Sequence, residues 1–447
     1  MKRLLTFALG CLLCAPIFAQ SALNLRLLSN WDDPTLTTVG GFGPQQYSAC
    51  WGMTLNGHEY AILGSLEYTH IFDVTNPAAP KEIGKIKGVN CIWREFKTYK
   101  NRIYVANDCG GGLQIIDMSH APDTIVKTYD SKLLVASMHT ITLDTVSGRI
   151  YGNSSPVVLD VSVDPDKPKL LSNAPHPCGY AHDTYVRNDT LYASAANNGF
   201  CIYDYKDAKA PKLIASVSTN GYNHNNWLTR DGRYAYYTEE IPDGRPIRIV
   251  DLKDMRDGSI EVVGSFFDQL LPATSPTAIK AIPHNIYIKD ELLFNSQYED
   301  GLLVYDISKP LQPRLIGWYD TYTQNIKYEQ YKGCWGNYPW LPSGNIIASD
   351  MQNGLFMLKL ETNGTQNSPK SAENVEVYPN PSRDYYQISI KGTEVDWRYQ
   401  ISDLQGRVLQ SGGQVARLDL RGLPQGAYLL RIQLETGAVA TKQLVKI

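Results

Sequence analysis

The chain offers little net charge to any charged partner: 42 Lys and Arg stand against 45 Asp and Glu in 447 residues, a balance of −3. Without a field of one sign, nothing holds a phosphate backbone or an anionic bilayer, so nucleic-acid binding is disfavoured. Past residue 19 no apolar run is long enough to span a membrane. Beyond that point there is also no CxxC pair, which argues against a thiol-ligated zinc knuckle or a thioredoxin-like motif. GxSxG, HExxH, SxxK and the EF-hand calcium loop are absent as well. Gly110-Gly-Gly112 opens no helix and lacks the P-loop Lys-Ser/Thr, so phosphate binding is not expected. Phe is scarce, 10 against 29 Tyr, while 35 Gly and 25 Pro recur evenly. With 43% hydrophobic residues for a core, this is the composition of an all-β protein of many short strands and punctuated turns.

The two ends carry addresses. Residues 1–19 read as a signal peptide: Lys2 and Arg3 form the charged start, Leu4 to Phe18 an apolar stretch too short to span, and Ala19 the small residue at the cut. A lipoprotein reading with acylation at Cys11 is the weaker alternative. Export permits disulfides, and the six remaining cysteines (Cys50, Cys91, Cys109, Cys178, Cys201, Cys334) allow fifteen pairings. Residues 361–374, rich in Asn, Thr, Ser, Gly and Lys, form a linker. Residues 375–447 alternate apolar and polar between turns, as a small Ig-like β-sandwich does. Tyr378-Pro-Asn-Pro381, Asp403 to Arg407, Leu423-Pro-Gln-Gly-Ala-Tyr428 and Lys442-Gln-Leu-Val-Lys446 are the features of this tail. Together they resemble the type A C-terminal sorting domain of type IX secretion. The resemblance implies that residues 375–447 engage that machinery. It further implies passage across inner and outer membranes, then tail cleavage with release or surface attachment.

Between the ends, an apolar run closed by Asp recurs at Asp73, Asp117, Asp160, Asp204, Asp251 and Asp306, with Lys359 in a seventh copy. The spacings are 44, 43, 44, 47, 55 and 53 residues. An Asp there can bond the backbone two residues on and start a turn, so these carboxylates are expected to be structural. A second register, Trp51, Trp93, His139, His182, His224, His284 and Trp335, precedes each strand–turn–strand segment. Four strands per unit is the propeller pattern, and residues 22–360 are expected to form seven blades. The seventh unit lacks its fourth strand, and Leu27-Leu-Ser-Asn30 repeats the fourth-strand segment Leu170-Leu-Ser-Asn173, so the N-terminal strand should close the ring. Closure places Cys50 and Cys334, each just before a register Trp, in neighbouring blades. The expected bonds are therefore Cys50–Cys334, Cys91–Cys109 and Cys178–Cys201. Trp93-Arg-Glu-Phe-Lys-Thr-Tyr-Lys-Asn101, Tyr180-Ala-His-Asp183, Asn223-His-Asn-Asn-Trp227, Pro283-His-Asn-Ile-Tyr287 and Gly301-Leu-Leu-Val-Tyr-Asp306 resemble the LVIVD-repeat propellers of the choice-of-anchor B group. That resemblance implies a secreted or surface propeller and carries no activity with it. Where that group has Gly-Asp-Glu, this chain has Thr238-Glu-Glu240.

Candidate chemistry follows from propeller geometry, because first-strand starts and second-strand ends open on one face. His139, His182, His224 and His284 open four consecutive blades, with Arg94 nearest the same place in the second. Asp108, Glu239, Glu240 and Asp350 lie at second-strand ends, together with Asn107, Asn153, Asn295, Glu299 and Ser349. Imidazoles with a carboxylate (His139, His182, His224, His284 and Glu239) would suit Zn or Fe, whereas carboxylates and amides alone would suit Ca. Three readings stand open: each polar group bonds the next blade's backbone; the mouth binds a protein, glycan, small ligand or divalent metal; or a His or Glu239/Glu240 acts as base in a metal-dependent hydrolase. His58, His70, His120 and His176 are expected in solvent, and Trp51, Trp93 and Trp335 between blades.

Overall fold

The computed structural model describes residues 22–40, 44–271, 280–324, 327–329, 331–361, 375–390, 397–403, 408–434 and 439–447. The expected signal peptide at 1–19 and all but the first residue of the expected linker at 361–374 lie outside the described residues. Every element among those described is a strand, and no helix is long and apolar enough to cross a membrane.

From residue 22 to 360 the strands form seven antiparallel sheets in chain order. Their innermost strands are Tyr47–Leu55, Arg94–Tyr99, Ile141–Asp144, Asp183–Arg187, Asn223–Leu228, Asn285–Lys289 and Cys334–Tyr338. Each packs on the innermost strand of the next sheet, and the last packs on the first. The seventh sheet takes its outer strand from the N-terminus: Leu25–Trp31 runs antiparallel to Gly354–Leu360, with Leu27 opposite Leu358. This is the seam expected from the Leu-Leu-Ser-Asn repeat.

Second and third strands are covered on both faces by neighbouring sheets, so they read as unbroken apolar runs. Ile103-Tyr-Val-Ala106 and Leu302-Leu-Val-Tyr305 are fully buried. Fourth strands lie at the rim, and Lys81–Lys87 has no buried residue. The recurrent aspartates start turns: Asp73, Asp117, Asp160, Asp204, Asp251 and Asp306 each accept the backbone N–H two residues on, at 2.7–2.9 Å.

Cys91–Cys109 and Cys178–Cys201 are disulfides, within the second and fourth sheets and their leading loops. The expected Cys50–Cys334 bond is absent, and both residues are buried thiols. The reason is register. Cys334 stands opposite Asp350 at the end of its second strand, whereas Cys50 stands opposite Leu63, two residues short of the corresponding end at Ser65, so the two lie at different levels of their blades. Cys334 packs toward the sixth sheet, among Phe294 and Leu302, whereas Cys50 packs toward the seventh, among Ile347 and Met357.

Residues 375–447 form a three-stranded sheet and a four-stranded sheet. They enclose a core of their own that includes Tyr386, Ile401, Leu418, Leu430 and Leu444. Lys446 is buried there, and its ammonium donates to the carbonyls of Leu420, Arg421 and Leu423.

Candidate functional site

The four register histidines meet. His139 and His182 have ring centroids 4.4 Å apart, His182 and His224 4.0 Å, and His224 and His284 4.2 Å. Trp335 of the seventh blade continues the row, 4.8 Å from His284. Backbone pairing sets their level. The N–H groups of His182 and His284 donate to the carbonyls of Ser194 and Ser296 at the ends of their second strands. The row is therefore one rung deep and crosses four consecutive blades at one mouth of the channel.

Burial grades along the row. The side chain of His139 is 17% exposed, and its Nδ1 lies 3.0 Å from an Asp108 carboxylate oxygen, itself 39% exposed. His182, His224 and His284 are buried. Burial holds His284 down to about 3, and it depresses His182 and His224 well below the ordinary imidazole range. These three rings are neutral at pH 7. His182 Nδ1 donates to the carbonyl of His224, and His284 Nδ1 to that of Trp335. His224 Nδ1 makes no bond of normal geometry and is buried. Backbone bonding and ligand binding do not compete here, because an imidazole has two nitrogens. With Nδ1–H fixed on a carbonyl, Nε2 carries the lone pair.

Glu240 completes the cluster. Its Oε2 lies 3.9 Å from His224 Nε2, and its Oε1 accepts the Tyr298 hydroxyl at 2.7 Å. Burial pushes its carboxyl up to about 7, against the opposing hydrogen bond from Tyr298. One ligand atom each from His224, Glu240 and His284 lies within 4.8 Å of the others. Two donors on one tetrahedral zinc sit about 3.4 Å apart. Small side-chain rotations therefore suffice to close the set on an ion.

Other expected members do not join it. Glu239 turns away and pairs with Arg248 at 3.0 Å, because adjacent residues of a strand point to opposite faces. Arg94 is buried. Its guanidinium donates to the carbonyls of Ser65 and Leu66 at 2.9 and 3.0 Å, and to that of Val89, pinning the first blade to the second. Asp350 is a turn residue: it accepts the N–H groups of Gln352 and Asn353 and the hydroxyl of Thr321. Asn107 likewise accepts the N–H groups of Cys109 and Gly111. Asn153 donates to Thr140 Oγ1, Asn295 donates to Gln297, and Glu299 accepts the N–H of Glu329.

Of the remaining histidines, His58 is half exposed against Asp73 and His120 is exposed, whereas His70 and His176 are buried, against expectation. His70 is held by Ser65 and Glu82, and His176 by the Tyr205 hydroxyl. Trp51 also lies deeper than its register suggested. It meets Tyr287, Tyr338 and Trp340, and Trp227 meets Tyr287 and Trp340. The Trp51–Tyr287 and Trp227–Trp340 contacts join blades that are not neighbours, so the rings touch across the axis. They form an aromatic layer about 10 Å below the histidines, three residues on at about 3.3 Å each. The signal is present in the sequence as His-x-x-aromatic: His182 to Tyr185, His224 to Trp227, His284 to Tyr287. Between the two layers, Asn225 donates to Asp183 at 2.6 Å and Lys97 pairs with Glu95 at 2.7 Å. Sequence reasoning passed over these residues and Tyr298.

Sheets following one another around an axis, with a polar row at one mouth, define a β-propeller. Residues 296–321, which hold the third and fourth strands of the sixth sheet, match the LVIVD repeat. Residues 376–446 match the secretion system C-terminal sorting domain. The chain thus joins an LVIVD-type propeller to a type IX sorting tail, and that tail marks export to the cell surface or beyond. No curated protein matches the chain. Among solved structures, the crystal structure of the computationally designed Ika8 protein is 8% identical, with a TM-score of 0.46, over 70% of this chain and 82% of that one.

Proposed function

We propose that this exported propeller is a binding protein whose ligand at the channel mouth is a divalent transition metal. His224, His284 and Glu240 hold the ion. The supporting observation is the convergence of two neutral imidazoles and one carboxylate, from adjacent blades, within 4.8 Å. Nitrogen donors favour Zn or Fe over Ca, which takes oxygen donors. Tyr298 acts through Glu240, since its hydroxyl orients the carboxylate.

A second reading, metal-dependent hydrolysis, draws on the same count. Three protein ligands leave a coordination position open, as catalytic zinc sites do. The test is metal analysis of the purified mature chain after equilibration with Zn and Fe, beside His224→Ala/His284→Ala. One ion per chain, lost in the double variant with the melting curve preserved, is the expected result. A wild-type chain that takes up no ion, or a double variant that keeps it, overturns the proposal.

A further inference from the structure

The row of histidines is longer than a three-ligand site needs. His139 and His182 lie outside the set formed by His224, Glu240 and His284, yet they continue it ring to ring toward solvent. Exposure falls in one direction along it: the His139 side chain is 17% exposed, the His182 residue 6%, His224 4% and His284 2%. The far side of the channel meets the aromatic layer of Trp51, Trp227, Tyr287 and Trp340. An ion bound at the buried set has its open approach at the mouth, where His139 and Asp108 stand.

Asp108 has two properties that suit an entry point. Its carboxylate is 39% exposed at the mouth, where it meets an approaching cation. Its hydrogen bond to His139 takes Nδ1, which leaves Nε2 as the free lone pair in a carboxylate–histidine–metal arrangement. His182 is likewise fixed through Nδ1 on the His224 carbonyl, so its Nε2 is unprotonated.

We propose that His139, oriented by Asp108, captures a divalent cation at the mouth, and that His182 relays it to the buried set of His224, Glu240 and His284. This rests on the metal-binding reading above. Each transfer is a ligand exchange: one nitrogen–metal bond forms as the preceding one breaks. No electron changes hands, and water leaves the ion as protein donors replace it. His139 and His182 set the rate of loading and release, and the buried residues set the affinity.

The experiment is stopped-flow mixing of the full mature chain with Co2+, followed by its visible absorption, then release into excess chelator. His139→Ala should load about tenfold more slowly and release more slowly by the same factor, leaving Kd unchanged. Asp108→Asn should slow loading less, by loss of steering alone. His224→Ala should lose affinity. Loading of His139→Ala at the wild-type rate overturns the relay. So does slower loading with an equal loss of affinity, which would make His139 an ordinary ligand. A wild-type chain that binds no Co2+ overturns the metal reading itself, and that outcome differs from both. Unchanged melting curves establish that each variant folds.

Discussion

Replacing Arg94 by Met separates a structural guanidinium from a binding one. The side chain is buried at 1% exposure, and burial lowers it to about 10, so it remains charged at pH 7. It donates to three backbone carbonyls, those of Ser65, Leu66 and Val89. Gly88 lies against the guanidinium and leaves no space there for a side chain. Hydrogen bonds from a charged donor contribute about 1.5–3 kcal/mol each, so three give roughly 5–9 kcal/mol gross. Met recovers the desolvation penalty of the buried charge, which is several kcal/mol, but leaves three carbonyls unmet. The expected net loss is about 3–5 kcal/mol. A propeller of about 340 residues has an unfolding entropy near 0.7 kcal/mol/K, so Tm should fall by about 4–7 °C. Differential scanning calorimetry with and without Zn reads both quantities, and the Zn-induced rise in Tm should match that of the wild type. An unchanged Tm with the Zn-induced rise abolished would show that Arg94 belongs to the mouth after all, refuting its structural assignment.

Asp350 carries a pH signature. It is fully buried, and burial pushes its carboxyl up to about 7, so the folded state holds a proton that the unfolded chain releases near pH 4. The stability this group contributes is complete below about pH 4 and is lost as pH rises to 7, at a cost of about 4 kcal/mol. Asp350→Asn keeps the turn's acceptor and should gain on the wild type between pH 5 and pH 8 in urea melts; an equal gap at both pH values rules this out. Cys50 and Cys334 are buried thiols, so the mature chain should show no reactive thiol when native and two when denatured. None after denaturation would restore the seam disulfide. Opening the Cys91–Cys109 bond, which closes an 18-residue separation, should cost about 3 kcal/mol in the chain-entropy model, read as a lower urea midpoint. Lys446→Met strips the ammonium from three carbonyls in the tail. That should destabilise the small domain by about 2–4 kcal/mol and leave protein unexported; wild-type levels outside the cell would show that the contact is dispensable.

What was legible in the chain, and what was not, divides on strand parity. The period of the Asp-closed runs sets the sheets, and the repeated Leu-Leu-Ser-Asn segment shows where the ring closes, because both depend on spacing over tens of residues. The histidine row was legible for the same reason: four residues at one rung of successive blades must approach one another around an axis. Two of the errors are one-residue errors. Glu239 and Glu240 are adjacent, and a strand sends neighbours to opposite faces, so Glu240 joins the row while Glu239 goes to Arg248. Arg94 follows Trp93 by one residue and turns back to the first blade instead of inward. Trp51 is a three-residue offset: it stands opposite Ile62 as Tyr338 stands opposite Ile347, so its indole belongs to the aromatic layer. The Cys50–Cys334 error has the same root, since Cys50 stands opposite Leu63 as Asn337 stands opposite Ala348, three residues along from the level of Cys334. The row, by contrast, is built from positions at one level. His182 donates to the His224 carbonyl and His284 to the Trp335 carbonyl, each reaching forward to the next blade, so the rotation from blade to blade stacks four imidazoles in line.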